Sequence, residues 1–238
     1  MEETRVFEIF GLAISWNTVF AIIATVLLIW ALCHYCTKRL SVDNPSKPQL
    51  FLESIFEFVR GVVGGAITDP TAQMYQLLGV TLLLFVFVAN MLGLPLMLNY
   101  GELSYWRSPT ADPVVCLSLA LLMILLSHYL GIEKQGFRNY LVNGYLKPVT
   151  ALFPMKLVEE FTNTITLALR LYGNIFAGEV LLGLIASLST SFGAPSFILG
   201  LALQLVWQGF SVFIGSIQAY IFVTLTMVYM SHKVEAEH

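Results

Sequence analysis

The sequence predicts an all-α membrane protein of about five transmembrane helices, two of them long, strongly tilted and antiparallel, with one further amphipathic helix at the membrane surface. Three observations carry that prediction. The 238 residues are 57% hydrophobic and only 11% charged, with a mean hydropathy of +0.78, unlike a soluble domain. Apolar runs of the roughly 20 residues needed to cross a bilayer core recur along the chain. The last third consists of two helical patterns of similar length, parted only by the polar SLSTSFGAPS at Ser187–Ser196.

The first span is read over 14–36. Its charged head is acidic (Glu2, Glu3, Glu8) and its apolar run is too long for a cleavable signal core. After Lys38 and Arg39, a link with Pro45 and Pro48 breaks the helix. Over 50–66, Glu53, Glu57 and Arg60 share one face while Leu52, Ile55, Phe56, Val59 and Val63 share the other. That pattern predicts a helix lying on the cytoplasmic surface.

The second span is read over 77–98; it carries VANMLGLP, with Asn90 polar inside hydrocarbon and Gly93 and Pro95 loosening its end. A loop with Glu102 and Arg107 leads to SPTADP, where Pro109 and Pro113 bracket Asp112 in a turn-like setting. The third span covers 114–131, and its His128 is read as a satisfied bundle or interfacial histidine rather than a relay member. A basic connection through Lys134, Arg138, Lys147 and Lys156 leads to a fourth helix over 154–187, with Pro154 in its first turn. At 1.5 Å per residue this helix is roughly 50 Å long, against a bilayer core of about 30 Å, so it must tilt or project. A fifth helix of similar length covers 197–231, and the tail HKVEAEH follows.

Basic-residue bias sets the expected orientation. With the N-terminus outside and the C-terminus in the cytoplasm, nine of the twelve Lys and Arg fall inside, Arg5 and Arg107 fall outside, and Arg170 lies within the membrane. The net charge of −3 and the lack of a dense basic patch argue against a nucleic-acid partner. Cys33 and Cys36 form a CxxC inside an apolar helix and, with Cys116, read as small packing residues. No metal motif and no cofactor site is read in the chain.

Arg170 is the anomaly. An arginine at mid-bilayer costs from about 3 to over 10 kcal/mol, depending on how it is measured, so its presence points to function. On an ideal helix Glu159, Asn163, Thr166, Gly173, Asn174 and Ala177 lie within about 60° of it. The first three would support a file of water from the cytoplasm; Gly173 and Ala177 would let another helix approach. Glu179 lies on the opposite face, about 13 Å further along the axis, so the two cannot pair.

On the last helix Gln204, Gln208, Ser211, Gly215 and Gln218 repeat at intervals of 4, 3, 4 and 3 residues, a single helical stripe. Its outer part is expected to meet Glu179, and Gln218 to reach the level of Arg170, with Asp112 extending the polar trail outward. Two half-pathways emerge, one along Glu159, Asn163 and Thr166, the other by way of Asp112, Glu179 and Ser211. A fixed cation between their inner ends would block a straight leak and hold a nearby carboxylate in its charged form. No second intramembrane acid lies on the Arg170 face at that depth, so the carboxylate must come from a partner.

LALRLYGNIFAGE at Leu167–Glu179, preceded by EEFTNT, followed by IQAYIF at Ile217–Phe222, and with VANMLGLP and SPTADP upstream, closely resembles subunit a of the rotary F-type ATP synthase. The length and the want of a transit peptide suggest a bacterial version, in the plasma membrane. The resemblance implies a non-catalytic stator subunit that passes protons, with sodium ions as the alternative, to and from a rotating c-ring. Its implied partners are that ring, the peripheral-stalk subunit b, the remaining synthase subunits and membrane lipids. Arg170 would face the ring carboxylate, with Asn174 and Gln218 near it; Glu179 and Asp112 would belong to the outer half-channel. Some members carry a histidine seven residues before the glutamine of the QA motif, where this chain has Ser211. Here Glu179 is expected to work with water, Ser211 and Gln208. The rival reading, a self-contained ion-coupled transporter, would call for internal repeats and helices broken at mid-membrane, and neither is seen. An intramembrane hydrolase would need a nucleophile and base or HExxH, also absent.

Overall fold

The computed structural model describes residues 6–9, 12–67, 72–93, 99–100, 103–104, 108–142, 144, 153–191 and 194–234. The expectations for Glu2, Glu3, Arg5, Pro95, Glu102, Arg107, Lys147 and the end of the tail lie outside these residues. The helices in chain order are α1 (Trp16–Thr37), α2 (Lys47–Ala66), α3 (Ala72–Gly93), α4 (Pro113–Gln135), the short α5 (Phe137–Leu141), α6 (Phe153–Ser191) and α7 (Ala194–Val234). Among the described residues five helices are long and apolar enough to cross a membrane, all but α2 and α5. Two short antiparallel ribbons, Val6–Ile9 with Leu12–Ser15 and Asn99–Tyr100 with Leu103–Ser104, accompany them.

Local chemistry explains the boundaries. Ser46 precedes α2 and a proline stands in its first turn, where a missing N–H costs nothing. The expected surface helix therefore starts at Lys47 instead of 50. The turn-like SPTADP forms a 3-10 turn over Pro109–Ala111, with the Ser108 side chain accepting from the Thr110 amide. Gly136, at φ 79°, supplies the left-handed residue that lets α5 leave α4 at a new angle. The second span begins at Ala72, and its described part ends at Gly93. At 39 and 41 residues, α6 and α7 are longer than expected. They run about 58 and 62 Å at the α-helical rise, roughly twice a bilayer core.

The chain divides into two compact units, Met1–Ile29 with Phe85–Cys116 and Arg170–Ala219, and Trp30–Leu84 with Leu117–Leu169 and Tyr220–His238. In the first, Val86, Ala89, Cys116, Leu171 and Ala219 are fully buried, and Ala111 packs with Ile175. Helix α7 begins close against the end of α6: a Cβ on Gly200 would lie 2.3 Å from Ser189 Cβ, so only glycine fits. In the second unit Val59, Val63, Phe222, Val223, Met227 and Met230 form the core. There Gly79 brings α3 onto Val59 of α2 and Met227 of α7, at 2.8 and 3.3 Å from an added Cβ. Gln76 Nε2 donates to Phe56 O at 3.1 Å, tying α3 to α2.

Candidate functional site

Arg170 stands at the margin of two faces of α6. Leu167, Ala168, Leu171 and Ile175 are buried. Thr166, Leu169, Phe176, Ala177, Val180 and Leu184 are exposed, Leu169 by 58%. By helical geometry Thr166, Gly173, Ala177 and Leu184 fall within about 60° of Arg170, so the guanidinium borders an open face of small and apolar residues. A Cβ built on Gly173 meets nothing within 4 Å. Arg170 is half-buried, and among the described residues it makes neither an ion pair nor a side-chain hydrogen bond. A half-buried cation with no counter-ion is costly, and the cost falls if a carboxylate approaches.

The polar stripe of α7 turns inward as it descends. Gln204 is exposed, Gln208 half-buried, and Ser211 and Gln218 are buried at 4% and 6% exposure. Among the described residues four buried polar atoms have no hydrogen-bond partner: Asn174 Nδ2, Trp207 Nε1, Ser211 Oγ and Gln218 Nε2. All four belong to the first unit. Such atoms are rare in folded proteins, where burying an unpaired polar group costs on the order of 1–3 kcal/mol. Ser211 departs from its peers. Thr25, Thr164 and Thr226 each return their hydroxyl to the carbonyl four residues back, at 2.7, 3.0 and 2.8 Å, and Ser127 to the one three back, at 2.7 Å. Ser211 Oγ does neither, and it makes no hydrogen bond to Glu179, its expected partner. A water molecule is the natural partner for such atoms.

Asp112 has a structural role that spacing alone did not show. Its Oδ1 accepts from the Val114 amide at 2.9 Å, capping α4, and its Oδ2 accepts from Thr18 Oγ1 of α1 at 3.1 Å. The carboxylate is half-buried at this junction. Beside it runs a chain of buried bonds. Ser108 Oγ and Thr110 Oγ1 are 2.7 Å apart, Thr110 Oγ1 donates to Asn90 Oδ1 at 3.0 Å, and Asn90 Nδ2 donates to Gly215 O at 3.2 Å. Glu179 is half-buried on α6.

Glu159 and Thr166 are exposed and Asn163 is half-buried; all three belong to the second unit. None of them makes a side-chain hydrogen bond among the described residues. The adjacent Glu160, which does not stand out by spacing, is the centre of that unit's ionic cluster. Its Oε1 pairs with Lys233 Nζ, and its Oε2 lies 3.5 Å from His128 Nε2. His128 Nδ1 is 2.6 Å from Tyr140 Oη, and Gln135 Nε2 donates to Lys233 O at 2.9 Å. The side chains of Glu160 and Lys233 are 18% and 20% exposed. His128 is thus satisfied within the bundle. Opposite charges at the start of one long helix and the end of the next, expected to run antiparallel, were the signal available for this pair.

No cluster able to hold a metal ion occurs among the described residues. A family described as ATP synthase A chain matches residues 18–231. A protein named ATP synthase subunit a from Listeria welshimeri is 48% identical over 237 residues, covering 100% of this chain and 99% of its own. The proteins of that name from Enterococcus faecalis and Bacillus subtilis are each 46% identical, over 100% and 98% of both chains respectively.

Proposed function

The chain belongs to the ATP synthase A chain family, and from that membership we propose that it is the stator subunit through which protons reach and leave the c-ring. It is a multi-pass membrane subunit of the ATP synthase complex. In this reading, ions enter from outside through a path bordered by Asp112, Glu179, Gln208 and Ser211, and leave to the cytoplasm past Thr166, Asn163 and Glu159. Arg170, with Asn174 and Gln218 nearby, separates the two paths. The cation favours the ionised form of the ring carboxylate that comes opposite it, so the carboxylate releases its proton on one side and must take another from the other. A fixed positive charge also repels a free proton and prevents a leak. The peripheral stalk, through subunit b, holds the chain still while the ring turns. The chain itself makes and breaks no covalent bonds other than those to the travelling proton.

One observation carries this reading: an arginine that is half-buried and, among the described residues, without a counter-ion, beside an open face of small and apolar residues, in the unit that holds the four buried polar atoms with no partner among those residues. The energy of such a residue falls when a partner brings a carboxylate to it. The test is Arg170→Ala in membrane vesicles that hold the assembled complex. ATP-driven acidification is abolished if the reading holds, and retained pumping overturns it.

A further inference from the structure

Asn90 is wholly buried, as is Thr110, and Ser108 is 1% exposed. An amide and two hydroxyls are expensive to place in an apolar interior unless each finds a partner. Here they find one another. The proton count along this chain gives it a direction. The Gly215 carbonyl can only accept, so the Asn90 amide must turn its NH₂ toward α7 and its oxygen toward Thr110. The Thr110 hydroxyl must then donate to Asn90, and the hydrogen for the 2.7 Å contact between Ser108 and Thr110 must come from Ser108. Ser108 divides that hydrogen between Thr110 and Ala89 O, which lies 2.9 Å away. Cys116 Sγ approaches the Thr110 carbonyl at 3.2 Å, holding the turn from its other side.

The acceptor at the end of this chain is informative. Gly215 is the stripe member between Ser211 and Gln218, four residues after one and three before the other. Both neighbours carry buried polar atoms with no partner, yet Asn90 bonds to the backbone between them. The amide therefore holds α7 and leaves those side chains available.

We propose that Asn90 and Thr110 are positioning residues, which fix the rotation and height of α7 so that Ser211 presents its hydroxyl to the outer proton path and Gln218 its amide to the level of Arg170. The inference rests on the outer-path reading given above. On it, removing the Thr110 hydroxyl strands Asn90 Oδ1, frees the amide to rotate, and lets α7 turn about its axis although neither Ser211 nor Gln218 is itself altered.

The test uses vesicles with the assembled complex carrying Ser211→Cys, treated with a small water-soluble thiol reagent. The rate at the chain's own cysteines, measured without that substitution, is subtracted. Adding Thr110→Val is expected to change the labelling rate at position 211 by about fivefold, a value in line with one lost hydrogen bond. Thr110→Ser restores the rate, because the hydroxyl is returned. Ser108→Ala shifts the rate less in the same direction, and it replaces Thr110→Val if complexes with the valine do not accumulate. Labelling that is insensitive to both Thr110→Val and Ser108→Ala overturns the positioning role alone. Absence of labelling in Ser211→Cys by itself overturns the outer-path reading, and the positioning role with it.

Discussion

Two sets of polar side chains set among apolar helices, one in each unit of the chain, are completed in different ways. Around Glu160 in the second unit, every charged or polar group meets another: Lys233 and His128 on the carboxylate, Tyr140 on the histidine, Gln135 on the end of α7. In the first unit the neutral groups Asn174, Trp207, Ser211 and Gln218 each keep a buried atom without a partner. Polar groups that hold helices together must be saturated, since the bond made has to offset the desolvation of both members. Groups that serve water or a passing ion must keep capacity in reserve. On the proposed function, the difference separates side chains retained for stability from side chains retained for transport.

The largest expected effect on stability comes from breaking the saturated cluster. Lys233→Ala leaves Glu160 partly buried with only a histidine beside it, and is expected to cost about 2 kcal/mol; that is below the range for a fully buried pair because both groups retain some solvent. Thermal inactivation of the membrane-bound complex reads the loss, and an unchanged midpoint would erase the contrast between the units. Asp112→Ala removes the α4 cap and the tie to Thr18, for about 1 kcal/mol by the same measurement. If proton flux falls while the inactivation midpoint holds, Asp112 acts in the path and the cap is incidental.

The smallest expected change in stability is the sharpest test. Ser211→Ala removes a buried hydroxyl that bonds to nothing among the described residues, so stability is expected to shift by less than about 0.5 kcal/mol. ATP-driven acidification in the same vesicles is expected to fall. A loss of stability comparable to that of Lys233→Ala would show that Ser211 belongs with the structural groups.

Much of the architecture could be read from the residues. Apolar runs of bilayer length, the amphipathic pattern of α2 and the uninterrupted periodicity of α6 and α7 are local properties, and local properties survive translation into helices. The α7 stripe was readable for the same reason, because a fixed angle per residue puts Ser211 and Gln218 on one face wherever the helix lies. The charge of Arg170 was conspicuous since the hydrocarbon context makes any ion an exception.

Composition, periodicity and spacing thus establish the class of the protein, its helices, Arg170 with its face of small residues, and the family those motifs indicate. Only the tertiary structure decided who meets whom. Asn90 and Asp112 stood out as polar residues, but nothing local pairs Asn90 with the carbonyl of Gly215, 125 residues away, or Asp112 with Thr18, 94 residues away. Glu160 was one of two adjacent acids at the start of α6, and packing alone placed Lys233 on it and left Glu159 exposed. The physical reason is that helical periodicity fixes the direction of a side chain about its own axis. Its partner depends on how separate helices are brought together, and that is settled by close contacts such as those at Gly79 and Gly200.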